Sequence, residues 1–129
     1  MTDLGSRKVL IVEDNELNMR LFCDLLEAFD FKTFKCTDGS KALGLAKTHL
    51  PDLIIMDIQL PEVSGLDITR WLKDDVQVAH IPVLAVTAFA MRSDEERVRE
   101  AGCEGYLSKP IQIRSFIDTV EGLMPKDDA

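Results

Sequence analysis

The sequence predicts an α/β fold: a doubly wound (βα)5 three-layer sandwich around a five-stranded parallel sheet. Three observations point to it. Short apolar runs rich in Val, Ile and Leu recur along the chain, as strands buried on both faces require. Most of these runs are followed by a stretch with apolar residues at helical spacing. The connections are short, and right-handed crossovers then lay the strands side by side in parallel, with helices on both faces. The 129 residues suit one compact domain, read as a single unit over 1–129 with its core at about 8–124 and short polar tails.

The elements follow in order. Lys8-Val9-Leu10-Ile11-Val12 is a β-branched apolar run that ends in acid at Glu13 and Asp14. Apolar residues at 17, 21, 22, 25, 26 and 29 then form one helical face, with Asp14 or Asn15 as N-cap. Lys32 to Cys36 alternates and reads as a second strand, and Asp38-Gly39 is a turn. The next helix carries Ala42, Leu45 and Ala46 inward. Pro51 precedes Asp52-Leu53-Ile54-Ile55-Met56-Asp57, a third strand that also ends in acid, and Pro61 breaks the chain after it.

Ser64 with Asp67 has capping-box spacing for a helix through Trp71 and Leu72. Pro82 to Val86 is an apolar strand ending at Thr87. Ser93 with Glu96 is a cap for a helix that buries little beyond Val98 and Ala101. Tyr106-Leu107-Ser108 is a brief strand leading to Lys109-Pro110. The last helix has its apolar face at 113, 116, 117, 120, 123 and 124, and Pro125 ends it.

Composition excludes several functions. Lys plus Arg total 15 and Asp plus Glu total 23, so the formal net charge is -8. A field of that sign opposes binding to nucleic acid or anionic lipid. Cys23, Cys36 and Cys103 are odd in number and lack metal-ligand spacing, so they read as small buried thiols in a reducing compartment. His49 and His80 are isolated. Met1 to Lys8 shows no apolar leader, and the run Leu53 to Met56 is far too short to span a bilayer. The expectation is a cytoplasmic protein without membrane insertion.

An open parallel sheet places its ligand site outside the carboxyl ends of its strands. Glu13, Asp14, Asp57 and Thr87 fall at those ends, and Lys109 follows the fifth strand. Crowded carboxylates repel, so the site calls for a cation. A hard divalent ion with oxygen ligands suits the set, and Lys109 adds a point charge. A carboxylate beside Mg2+, a hydroxyl and a lysine is an arrangement for phosphoryl transfer, with an acyl phosphate on Asp57 as product.

Four motifs in order, Leu10-Ile11-Val12-Glu13-Asp14-Asn15, Met56-Asp57-Ile58-Gln59-Leu60-Pro61 with Gly65, Val86-Thr87-Ala88 and Ser108-Lys109-Pro110, resemble the response-regulator receiver family from about Lys8 to Met124. Asn15-Glu16-Leu17-Asn18 and Thr87-Ala88-Phe89-Ala90-Met91 are similar to its single-domain regulators of cell division. The resemblance implies a flavodoxin-like, CheY-like sheet. It implies Asp57 as phosphoacceptor, Asp14 as direct Mg2+ ligand (Mn2+ in its place), Glu13 as the acidic companion and the Gln59 backbone carbonyl as a further ligand. It implies Thr87 as the phosphoryl-binding hydroxyl, Ala88 as the small residue leaving room for the group, and Tyr106 as the aromatic switch. It also implies Lys109 as the phosphoryl-pairing lysine, with a cis bond before Pro110. Glu13 stands where many receivers carry Asp, and Gln59 and Phe89 occupy positions that tune phosphoaspartate hydrolysis in the family.

Implied partners are sensor histidine kinases or a histidine phosphotransfer protein, with the chain a monomer or weak dimer. Asn18, Met19 and Phe22 on the first helix, with Phe89 and Met91 near the fourth, are the candidate partner surface, although Phe22 also fits the core. No output domain is expected after residue 124, so output is expected through protein contact. Two other readings stay open on the residues alone. One is a metal-dependent phosphatase using Asp57 as nucleophile, against which Gln59 stands where a second acid is needed. The other is an interaction module that never takes phosphate, against which the intact Asp14, Asp57, Thr87 and Lys109 set argues.

Overall fold

The computed structural model describes residues 7–60, 63–88 and 92–124. Strands β1 (Lys8–Val12), β2 (Lys32–Cys36), β3 (Leu53–Asp57), β4 (Val83–Thr87) and β5 (Gly105–Ser108) form one sheet in the order β2-β1-β3-β4-β5. Every pairing is parallel, with Val12 level with Met56, Asp57 with Val86 and Thr87 with Ser108. Helices α1 (Glu16–Ala28), α2 (Ala42–His49), α3 (Gly65–Asp74), α4 (Arg92–Ala101) and α5 (Ile113–Leu123) connect and follow the strands. A 3-10 turn at Gly39–Lys41 leads into α2, with the Asp38 side chain accepting the Ser40 N–H as its cap.

The sheet divides the apolar interior in two. Leu10, Ile54, Met56, Val83 and Ala85 face α2, α3 and α4. Val9, Ile11, Leu53, Ile55, Leu84 and Val86 face α1 and α5. Successive strand residues point to opposite faces, so each strand feeds both sides. Each fully buried Leu, Ile or Phe contributes about 1.5–3 kcal/mol of transfer free energy, which is what holds five short strands together.

Several expectations are corrected. The first helix buries only part of the face read from the sequence, at Phe22 and Leu26, with Leu25 half-buried. Met19, Phe22, Cys23 and Leu26 face the core, whereas Leu17 is 78% exposed and Leu21 and Phe29 are also exposed. Asn15 is the N-cap, its side chain accepting the Asn18 N–H at 3.0 Å. On α5, Phe116, Ile117, Val120 and Met124 are buried but Ile113 is exposed. Ser64 does cap α3, but its hydroxyl accepts from the Leu66 N–H at 3.1 Å, and Asp67 pairs with Arg70 instead of closing a capping box. Helix α4 begins at Arg92, so Ser93 lies inside its first turn. Among its described side chains Val98 and Ala101 are buried. Pro61 and Pro125 lie outside the described residues.

One long side chain ties the end opposite Asp57 together. Lys73 on α3 donates to the carbonyls of Ala79 at 3.2 Å and Ile81 at 2.9 Å, and to Glu104 Oε2 at 2.8 Å. Glu104 Oε1 in turn accepts the Val83 N–H at 2.8 Å. Lys73→Met keeps the stem but leaves two carbonyls and a carboxylate short of a donor. The expected loss is about 2 kcal/mol, read as a fall in Tm of about 7 °C.

Candidate functional site

Because all five strands run parallel, their carboxyl ends share one edge. Glu13 follows β1 and is turned inward by its N–H, which donates to the Cys36 carbonyl at 3.0 Å. Asp57 closes β3, and the Ile58 N–H continues the ladder onto the Val86 carbonyl at 3.1 Å. Thr87 closes β4. Its carbonyl accepts the Lys109 N–H at 2.7 Å, which brings the residue after β5 to the same edge. The Lys109–Pro110 peptide is cis.

Glu13, Asp14 and Asp57 each offer a carboxylate oxygen, and the three oxygens lie within 4.8 Å of one another. Glu13 and Asp57 are buried, at 1% and 4% exposure, while Asp14 is open to solvent. Lys109 Nζ lies 3.3 Å from Glu13 Oε1 and 3.7 Å from Asp57 Oδ2. Two backbone donors hold the carboxylates in place. Asn15 N–H donates to Glu13 Oε2 at 3.1 Å, and Gln59 N–H donates to Asp57 Oδ1 at 2.9 Å. Thr87 is buried beside them, and Tyr106 is half-buried on the α3/α4 side of the sheet.

Three carboxylates face one ammonium. Burial pushes the Glu13 carboxyl up to about 7, the charge of Asp57 adds to the rise, and the Asn15 N–H and Lys109 oppose it. Two buried acids with unspent lone pairs next to an open third one fit a hard divalent cation, which demands oxygen ligands and tolerates an exposed side for water. That fit yields a prediction. Mg2+ at ten times its dissociation constant is expected to raise Tm by about 5 °C. Protons compete for the raised Glu13 carboxyl in the metal-free protein. Mg2+ affinity should therefore be flat above pH 7 and fall by about tenfold per unit below it, as titration calorimetry at several pH values would read.

The other sequence candidates divide. Gln59 is exposed at the rim and Ala88 lies across from it. Asn18 is half-buried on α1. Met19 and Phe22 are corrected: both are buried, and the Phe22 ring sits 5.4 Å from that of Phe116, so neither offers a contact surface. Phe89 and Met91 lie outside the described residues. Two features escaped the sequence reading. The Gln59 side chain accepts the Ala88 N–H at 3.2 Å, joining the loops after β3 and β4. Gly65 lies so close to β3 that a Cβ there would stand 2.3 Å from the Asp57 carbonyl oxygen.

Comparison with known proteins adds findings of three kinds. The family model for the response regulator receiver domain matches residues 9–121. The polar-differentiation response regulator DivK of Brucella ovis is 60% identical over 119 residues, covering 92% of this chain and 97% of the relative. DivK of Brucella anthropi is 60% identical over 118 residues, at 92% and 96% coverage. Among solved structures, the chemotaxis protein CheY4 of Vibrio cholerae superposes with a TM-score of 0.87 at 23% identity, covering 92% of this chain and 99% of that one, a likeness of fold. The receiver domain of a Pseudomonas aeruginosa sensor histidine kinase, with magnesium coordinated in its active-site cleft, superposes at 0.85 with 28% identity and 92% and 97% coverage. Among the described residues of this chain no helix is long and apolar enough to cross a membrane.

Proposed function

This chain belongs to the response regulator receiver family, and from that membership we propose that Asp57 takes a phosphoryl group from a phosphohistidine. The chain is a response regulator of a two-component phosphorelay in cell-cycle control, and its partner class is a histidine kinase or histidine phosphotransfer protein. The relatives named for polar differentiation point to kinases of cell division and polarity. One receiver domain, with its core over about 8–124, carries the function, in the cytoplasm, as a monomer or weak dimer.

The single observation that carries this reading is the convergence of Glu13, Asp14 and Lys109 on a buried Asp57 at the carboxyl edge of the sheet. An oxygen of the Asp57 carboxylate attacks phosphorus in line. The P–N bond breaks and its electron pair stays on the imidazole nitrogen, leaving an acyl phosphate on this chain. Lys109 offsets charge on the phosphoryl oxygens. The hydroxyl of Thr87, at the end of β4, donates to an oxygen of the phosphoryl group, Ala88 leaves room for it, and Tyr106 turns in behind Thr87. Glu13, Asp14, Asp57 and the Gln59 carbonyl would hold Mg2+, or Mn2+ in its place, which neutralises phosphoryl oxygens when bound. The chain promotes only its own phosphorylation and dephosphorylation, and the output is a changed protein-binding surface.

Incubation with Mg2+ and acetyl phosphate, followed by intact-mass measurement, tests the reading. One phosphoryl group gained per chain supports it, and no gain removes Asp57 from the role.

A further inference from the structure

The Gln59 side chain spans the mouth of the site. Its backbone N–H is bound to the carboxylate of Asp57, and its side-chain carbonyl, Oε1, is bound to the backbone N–H of Ala88 at 3.2 Å. Asp57 and Val86 are level in the sheet, and Ala88 directly follows Thr87, the last residue of β4, so it lies just past the carboxyl edge near Asp57. An acyl phosphate on Asp57 would extend past that edge, within reach of an N–H placed there. In the resting protein that donor is already taken.

We propose that Gln59 is a positioning residue that latches the loop after β4 to the loop after β3 in the unphosphorylated protein, by occupying the Ala88 N–H that a phosphoryl group on Asp57 then claims. This rests on Asp57 being the phosphoacceptor. The competition has a clear sign. A phosphoryl oxygen carries charge and accepts a stronger hydrogen bond than a neutral amide oxygen. Arrival of the group therefore displaces the Gln59 side chain and releases the two loops from each other. The latch opposes phosphorylation and holds Ala88 against Gln59 until the group arrives. Its physical content is one bond to an exposed side chain, so the effect is modest and the loops part readily.

Gln59→Met keeps the length of the side chain and removes the acceptor, whereas Gln59→Glu keeps an acceptor oxygen. Amide hydrogen exchange of Ala88, measured by NMR without any phosphoryl donor, is expected to run about three- to tenfold faster in the Met variant and to stay near the wild-type rate in the Glu variant. The Met variant is also expected to take up phosphoryl from acetyl phosphate a few-fold faster than wild type, because the donor N–H is free from the start. Equal Ala88 exchange in wild type and the Met variant overturns the latch. So does faster exchange without faster uptake. If the wild type gains no phosphoryl group at all while Ala88 exchange still accelerates in the Met variant, the phosphoacceptor reading fails and the resting contact stands.

Discussion

Asp57→Asn is expected to abolish the gain of a phosphoryl group from acetyl phosphate and from a phosphorylated histidine kinase, with no residual mass shift under conditions that load the wild type fully. The amide is no nucleophile, and no other carboxylate replaces it. Glu13 is already engaged by Asn15 N–H and Lys109, and Asp14 is exposed at the outer side of the cluster. The same substitution is expected to stabilise the metal-free protein. Asparagine Oδ1 keeps the 2.9 Å bond from Gln59 N–H, while its amide nitrogen replaces the oxygen that faces Glu13 and Lys109. With that charge gone, the Glu13 carboxyl moves back from about 7 toward its ordinary range. Urea unfolding without Mg2+ should show a gain of about 1 kcal/mol at neutral pH. Loss of stability together with loss of phosphorylation would mean that Asp57 is structural.

Gly65→Ala is the second large effect. A methyl group at Gly65 would stand 2.3 Å from the Asp57 carbonyl oxygen and 2.8 Å from Ile58 Cα, both backbone atoms in or beside the central strand. The Gly65 N–H also donates to the Ile58 carbonyl at 3.0 Å. No rotamer change relieves such a clash, so α3 must withdraw or β3 must bend. Overpacking against backbone is expected to cost about 3 kcal/mol, a fall in Tm of about 10 °C. Phosphoryl uptake should drop even at temperatures where the variant stays folded, because the strain is delivered to Asp57 itself. Gly44→Ala is the control. Nothing lies within 4 Å of a Cβ at that helical position, and a gain of about 0.5–1 kcal/mol is expected there.

The difference between these two glycines was not legible in the sequence, because it depends on which backbone passes behind each one. The strands were legible. Val9 to Val12, Leu53 to Met56 and Val83 to Val86 are apolar at every position, and only a sheet covered on both faces absorbs that pattern. The acids at their ends were legible for the same reason, since parallel strands bring equivalent ends to one edge. The rotation of α1 was not. Apolar residues cover more than half of its circumference, and Leu17, Leu21, Leu25 and Phe29 form as regular a stripe as Met19, Phe22, Cys23 and Leu26. The packing against the sheet, which the pattern does not determine, buries the second of these stripes. The Gln59 side chain was invisible for another reason. Its partner is a backbone N–H at Ala88, and a main-chain donor leaves no mark on residue type.

The division of the interior by the sheet has a consequence for how this sequence can drift. Leu72 on one side and Phe116 on the other never meet, because the sheet lies between the layers they belong to. Volume lost on one side cannot be refilled from the other. Compensating changes for a substitution at Phe116 must come from α1, α5 and the inward residues of that face, so the two halves of the core accumulate change as independent lineages within one molecule.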